Sequence, residues 1–153
     1  PMMVQLMIMY FVVFSSSRHE VAVATLAFGI NSGAYVAEIV RGGIMSVDAG
    51  QMEAGRSLGM NYTQTMRHII IPQAIKNILP ALGNEMITLL KDTSLMTVIG
   101  AKDLTKAAQT VQAVTYQAFM PYISIAVIYL VCVIALSKLL ALIERRMRNS
   151  DRR

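Results

Sequence analysis

No charge occurs in the 31 residues from Ala107 to Ser137. A helix needs about 20 apolar residues to cross the hydrocarbon core of a bilayer, so this run alone is long enough. Two more uncharged runs, Met2 to Ser17 and Val21 to Ala37, lie upstream. In lipid each backbone N–H and C=O must find its partner within the protein, which leaves helices or a closed barrel as spanning structures. The charged fraction is 15%, against about 25% for a soluble domain. Composition and clustering together predict an all-α, polytopic integral membrane protein whose first partner is the lipid bilayer.

Four apolar elements are expected, at about Met2 to Phe14, Val21 to Ile44, Gln73 to Leu90 and Pro121 to Ile143. The third is interrupted by Pro80, Gly83 and Glu85, and Pro80 is expected to kink it and free a carbonyl. The chain starts at Pro1 inside an apolar run with no charged stretch before it, unlike a signal peptide. A single membrane domain over 1–153, truncated at its N-terminus, is the expected organisation.

The net charge of +5 is unevenly placed. Arg41, Arg56, Arg67 and Lys76 fall in the central polar segment, and Arg145, Arg146, Arg148, Arg152 and Arg153 crowd the C-terminus. Basic residues beside membrane spans mark the cytoplasmic side. That puts the C-terminus and segment 45–72 inside and segment 91–117 outside. The outer loops hold Arg18, Lys91, Lys102 and Lys106, partly offset by Glu20, Asp92 and Asp103. Tyr62 is the single aromatic between Arg41 and Lys76 and none lies among the C-terminal arginines, so nucleic acid is not expected as a partner.

Several chemistries are unsupported. His19 and His68 have no ligand spacing, so no metal is expected. The 12 methionines are scattered as flexible packing residues, and Cys132 sits mid-span as a small apolar side chain. No nucleotide-binding Gly-x-x-x-x-Gly-Lys-[Ser/Thr] occurs, and no nucleophile–base arrangement stands out. The chain is read as a non-enzyme that binds no cofactor.

The central segment reads as two short helices. Asp48 is a plausible N-cap with Gln51 in capping-box register, and Asn61 is a second with Gln64 three residues on. Gly59 suits the left-handed residue that closes the first helix, and Pro72 marks a break or kink before the next span. In the outer segment, Asp92, Thr93 and Ser94 look like a capping turn. Asp103 suits a cap for a helix whose apolar face is Leu104, Ala107, Ala108 and Val111, packed along the membrane.

Within this frame Glu53-Ala54-Gly55, Gly59, Ile69, Ile71 and Pro72 stand at fixed offsets. They resemble the EAA loop of ABC importer permeases: Glu-Ala-Ala, three residues, Gly, nine residues, then Ile-x-Leu-Pro. Gly55 departs from Ala, weakening the helix by about 1 kcal/mol, and Ile71 departs from Leu. Asn31 to Glu38 with Arg41 to Ile44, Pro80 to Asn84, and Leu90 to Leu95 are similar to the polar amino acid permeases, the histidine, glutamine and arginine group. The resemblance spans essentially the whole chain.

It implies a type I ABC importer permease fold, with one or two helices upstream, in a bacterial inner membrane. Segment 45–72 would be a coupling loop docked on an ATPase subunit, using Glu53, Ala54, Gly55, Leu58, Gly59, Ile69 and Pro72. ATP and Mg would belong to that ATPase. A second permease subunit and an extracytoplasmic solute-binding protein would complete the importer. A non-transporting scaffold that recruits a soluble partner, a passive channel, or an importer of another small polar solute are the alternatives.

Ionisable residues in spans are functional candidates by default. Glu85 could line the solute path or form an ion pair with Lys91 or an upstream residue. Glu38 is expected to pair with Arg41, three residues on. Asn31 and Ser32, with Gly33, could line the path or allow close helix packing. Asn84 and Thr88 are further path candidates.

Overall fold

A computed structural model describes residues 1–17 and 19–149. Arg18, Arg152 and Arg153, used above to orient the chain, lie outside the described residues, as do the side chains of Arg146 and Arg148. Every regular element among the described residues is helical. In order they are α1 (Met2–Ile8), α2 (Glu20–Met45), α3 (Ala49–Ser57), α4 (Tyr62–Thr65), α5 (Ile71–Asp92), α6 (Leu104–Thr115) and α7 (Phe119–Asn149). Wide π-helical turns follow α1 at Met9–Val13 and α4 at Met66–Ile70, and a tight 3-10 stretch, Thr93–Ile99, follows α5.

Among the described residues two helices combine membrane-spanning length with apolarity: α2, of 26 residues, and 27 residues of α7 from Phe119 to Arg145. At about 1.5 Å per residue each exceeds the roughly 30 Å of a hydrocarbon core. Along α7 Val127, Ile128, Leu130, Val131 and Ile134 are all exposed. Lipid is the medium in which such a surface is stable. Helix α5 has the length, at 22 residues, but Lys76, Glu85 and Lys91 lie along it.

The chain divides into two compact units, one of residues 1–33 and 86–138, the other of 34–85 and 139–153. The first has its own core. Leu6, Ala24, Ala27, Ile99 and Ala101 are buried together, with Phe28, Leu95 and Met96 against them. Ala24 and Ala27 give α2 a small-residue strip on which α1 lies close, and Gln5 Nε2 donates to the Ala27 carbonyl at 3.2 Å. Gly100, at φ 84°, ends the 3-10 stretch, and Asp103 caps α6 by accepting from the Lys106 N–H at 2.7 Å.

One expectation for this unit fails. Asp92, Thr93 and Ser94 form no cap, because α5 tightens directly into the 3-10 stretch and the Thr93 hydroxyl turns back to the Leu90 carbonyl. On α6 the expected apolar face is shared between the unit and its exterior, with Leu104 half-buried. Ala107 and Val111 are exposed, while Ala108 is buried and Gln109 and Gln112 are half-buried. Those two glutamines are held by hydrogen bonds from Thr97 and Tyr122, at 3.1 and 2.8 Å.

The second unit packs its helices at glycines. A Cβ at Gly43 on α2 would overlap the Ile78 side chain on α5. One at Gly83 on α5 would stand 2.8 Å from both Leu140 methyls on α7. Close backbone approach at these crossings is what the two glycines make possible. Pro80 lies inside α5 without ending it, since the helix is continuous to Asp92.

Candidate functional site: the hairpin from Asp48 to Pro72

After α2 the chain leaves its helix for only a few residues before re-entering one. Asp48 has an extended ψ of 131°, and its side chain accepts from the Gly50 N–H at 2.7 Å, capping α3. The expected capping box with Gln51 does not form. Gln51 Oε1 instead accepts from Gln73 Nε2 on α5 at 3.2 Å.

Helix α3 ends in a Schellman motif. The Met60 N–H reaches the Gly55 carbonyl at 3.1 Å, and the Gly59 N–H reaches Arg56 at 2.9 Å. Gly59 has φ 82°, where a Cβ would be strained, so the corner requires this residue. Two residues later Asn61 and Gln64 form a reciprocal capping box, both bonds at 2.9 Å. Both turns of the hairpin are therefore closed by local hydrogen bonds.

Pro72 does not break the chain. A π-turn precedes it, in which the Ile71 N–H bonds back to Met66, and helical structure runs unbroken from Tyr62 to Asp92. Proline inside a helix clashes with the carbonyl four residues earlier, here that of His68. The wider turn makes room for the ring, so the second short helix and α5 become one rod.

The hairpin closes on itself at Gly55. This residue is buried, and a Cβ there would stand 2.6 Å from Thr65 Cγ2, 2.9 Å from Thr65 Oγ1 and 3.1 Å from Ile69 Cδ1. Thr65 is 0% exposed, and its hydroxyl donates to the Asn61 carbonyl at 3.0 Å. The opposite side of α3 is open: Glu53, Ala54, Arg56 and Ser57 are exposed. Leu58 is 81% exposed at the corner. An apolar side chain presented at a hydrogen-bonded corner, with Tyr62 also exposed, is suited to docking.

The structure brings Glu53, Ala54, Gly55, Leu58 and Gly59 together on one short element and seats Ile69 beneath it. It separates them in role, since Gly55 and Ile69 face inward. Thr65, Gln51 and Gln73 were missed in the sequence. The available signal was Gly55 itself, because a glycine inside a helix commonly has a packing reason.

The path candidates are placed on two helices. On α2, Ser32 is 8% exposed and Asn31 half-buried, while the position of Gly33 has open space around it. Close packing is therefore seen at Ser32 and not at Gly33. On α5, Asn84 and Thr88 are four residues apart on one exposed face, with Glu85 half-buried beside it. Glu85 and Lys91 are six positions apart, on different faces, and form no ion pair among the described residues. Glu38 and Arg41 do pair, with Oε2 2.7 Å from Nη2.

A cavity of about 750 Å³ opens beside the hairpin in the same unit, lined by Ser46, Asp48, Gln73, Lys76, Asn77 and Arg145 among others. Among the described residues no cluster of three or more His, Cys, Asp or Glu forms.

Comparison with known proteins agrees across sequence and structure. Residues 1–149 match the family described as binding-protein-dependent transport system inner membrane component. The chain is 41% identical over 152 residues to the glutamine transport system permease protein GlnP of Escherichia coli (strain K12), covering 97% of this chain and 69% of that protein. It is 40% identical over 154 residues to the arginine transport system permease protein ArtQ of Bacillus subtilis (strain 168), covering 99% and 70%. A chain in the crystal structure of an amino acid ABC transporter with histidines superimposes with a TM-score of 0.89 at 53% identity, covering 95% of this chain and 69% of that one.

Proposed function

This chain belongs to the inner membrane components of binding-protein-dependent transport systems, and we propose that it is the permease subunit that carries a polar amino acid into the cell. The amino acid is proposed because similar proteins are named for glutamine and arginine and a similar structure for an amino acid transporter. A permease of this family is a transport subunit rather than an enzyme, and it works with other components. The ATP-hydrolysing subunit, the solute-binding protein and a second permease subunit are the partners proposed for this chain.

The observation that carries the mechanism is the hairpin of α3. It is held by an N-cap, a Schellman motif and a capping box, yet presents Glu53 and Leu58 outward. In our reading 45–72 is the cytoplasmic coupling loop, the C-terminus is cytoplasmic, and 91–117 faces the binding protein. A rigid element fused to α5 converts partner motion into movement of the membrane helices. Asn31, Ser32, Asn84, Glu85 and Thr88 remain the residues proposed to meet the solute. The similar proteins named above are permeases and a transporter, which favours transport over the scaffold and passive channel readings.

The test is uptake of labelled glutamine, arginine and histidine into proteoliposomes holding the assembled importer. Uptake that needs both ATP and the binding protein is the expected result. Accumulation of none of them, or uptake down a gradient without ATP, would remove this function.

A further inference from the structure

The hairpin is fastened to the membrane helices by two polar side-chain bridges that the coupling-loop pattern does not contain. Asn77 Nδ2 on α5 donates to the Ser46 hydroxyl at 2.8 Å, and that hydroxyl donates to the Gly43 carbonyl at 2.8 Å. Ser46 immediately follows α2, and Gly43 is where a Cβ would overlap Ile78 of α5. The second bridge runs from Gln73 Nε2, which donates both to Gln51 Oε1 at 3.2 Å and to the Ile69 carbonyl at 3.0 Å. Gln51 lies in the first turn of α3, and Asn77 is one helical turn beyond Gln73.

We propose that Gln73 and Asn77 are positioning residues that make α3 and the end of α2 move as one body with α5. The inference deepens the proposed coupling function and rests on it. Only Ser46, Val47 and Asp48 lie between α2 and α3, so pinning Ser46 leaves the linker little slack. The Gly55–Thr65 contact holds the far end of α3, while the Gln51–Gln73 bridge holds its near end. A push on the exposed side of α3 then reaches α5 at both ends and cannot be absorbed by rotation of the hairpin. Breaking the bridges leaves the docking surface intact and lets that rotation occur.

The experiment uses the assembled importer in proteoliposomes, counting solute molecules moved per ATP hydrolysed. Gln73→Met with Asn77→Leu keeps side-chain volume and removes both donors. The expected result is unchanged capture of the ATPase subunit and a fall in solute per ATP of roughly three- to tenfold, the scale of one hydrogen bond. Should the pair fail to insert, Gln73→Met and Ser46→Ala are measured singly, each with a smaller fall expected. Rescue separates positioning from a chemical role. In a Cys132→Ser background, Gln51→Cys with Gln73→Cys should couple poorly until joined by a short bis-maleimide, and well afterwards. Unchanged solute per ATP in the variants, or no recovery on cross-linking, overturns the proposal. It does so without touching the coupling reading, which stands or falls on whether Glu53→Lys still captures the ATPase.

Discussion

Gly55→Ala is the substitution on which local and tertiary effects pull in opposite directions. Intrinsic preference favours alanine by about 1 kcal/mol in a helix interior. Against this, the new methyl would stand 2.6 Å from Thr65 Cγ2 and 2.9 Å from its Oγ1, where about 3.5–4.0 Å is comfortable. Thr65 cannot step aside. It is fully buried, branched at Cβ, and tied through its hydroxyl to Asn61. Overpacking of this kind costs about 1–3 kcal/mol, so the net effect is unfavourable by about 0–2 kcal/mol. The strain is relieved by lifting α3 off α4, which reorients Glu53 and Leu58. ATPase capture by the assembled permease should weaken by up to roughly thirtyfold, with membrane insertion unchanged. Thr65→Ala removes both close atoms, so Gly55→Ala should do little further harm in that background, a coupling of about 1 kcal/mol in a double-mutant cycle. Equal or tighter ATPase capture by Gly55→Ala alone would refute the reasoning, since propensity would then outweigh packing.

Other outcomes are expected. Gly59→Val puts a β-branched side chain at φ 82° and should destabilise the hairpin by at least about 1–2 kcal/mol, read as lost ATPase capture with normal insertion. Gly43→Ala overlaps Ile78 and should lower the thermal midpoint of the purified permease, with partial recovery in Ile78→Ala. Glu85→Gln should raise the solute KM for transport while leaving ATPase capture unchanged, if Glu85 meets the solute. Cys132 is exposed on the apolar surface of α7 and should resist charged thiol reagents in intact membranes but react after denaturation.

Features set by neighbouring residues were legible in the sequence. The uncharged runs became α2 and α7, and Asp48, Asn61 and Asp103 each became caps, because a cap depends on a backbone N–H two or three residues away. Gly59 was legible for the same reason. Features set by distant partners were not. Gln51 left its capping-box register for Gln73, 22 residues on. Pro72 was expected to break or kink the chain, and a π-turn carries the helix through it without a break. The α6 stripe was legible as a pattern, but the partners that Gln109 and Gln112 find within the unit were not. Periodicity identifies an apolar face without saying whether protein or lipid covers it. The side chains that fasten the hairpin, Ser46, Thr65, Gln73 and Asn77, belong to no spacing rule and emerge only from the fold.

The central claim is that α3 is where the ATPase grips this subunit. The direct measurement is capture of the ATPase by the assembled permease, with ATP hydrolysis stimulated by the loaded binding protein, for wild type, Glu53→Lys and Gly59→Asp. Glu53→Lys reverses a charge on the exposed side of α3, and Gly59→Asp breaks the corner that presents it. Both should insert normally, lose capture and lose stimulated hydrolysis. Normal capture and stimulation in both would contradict the claim and place the coupling contact elsewhere in the chain.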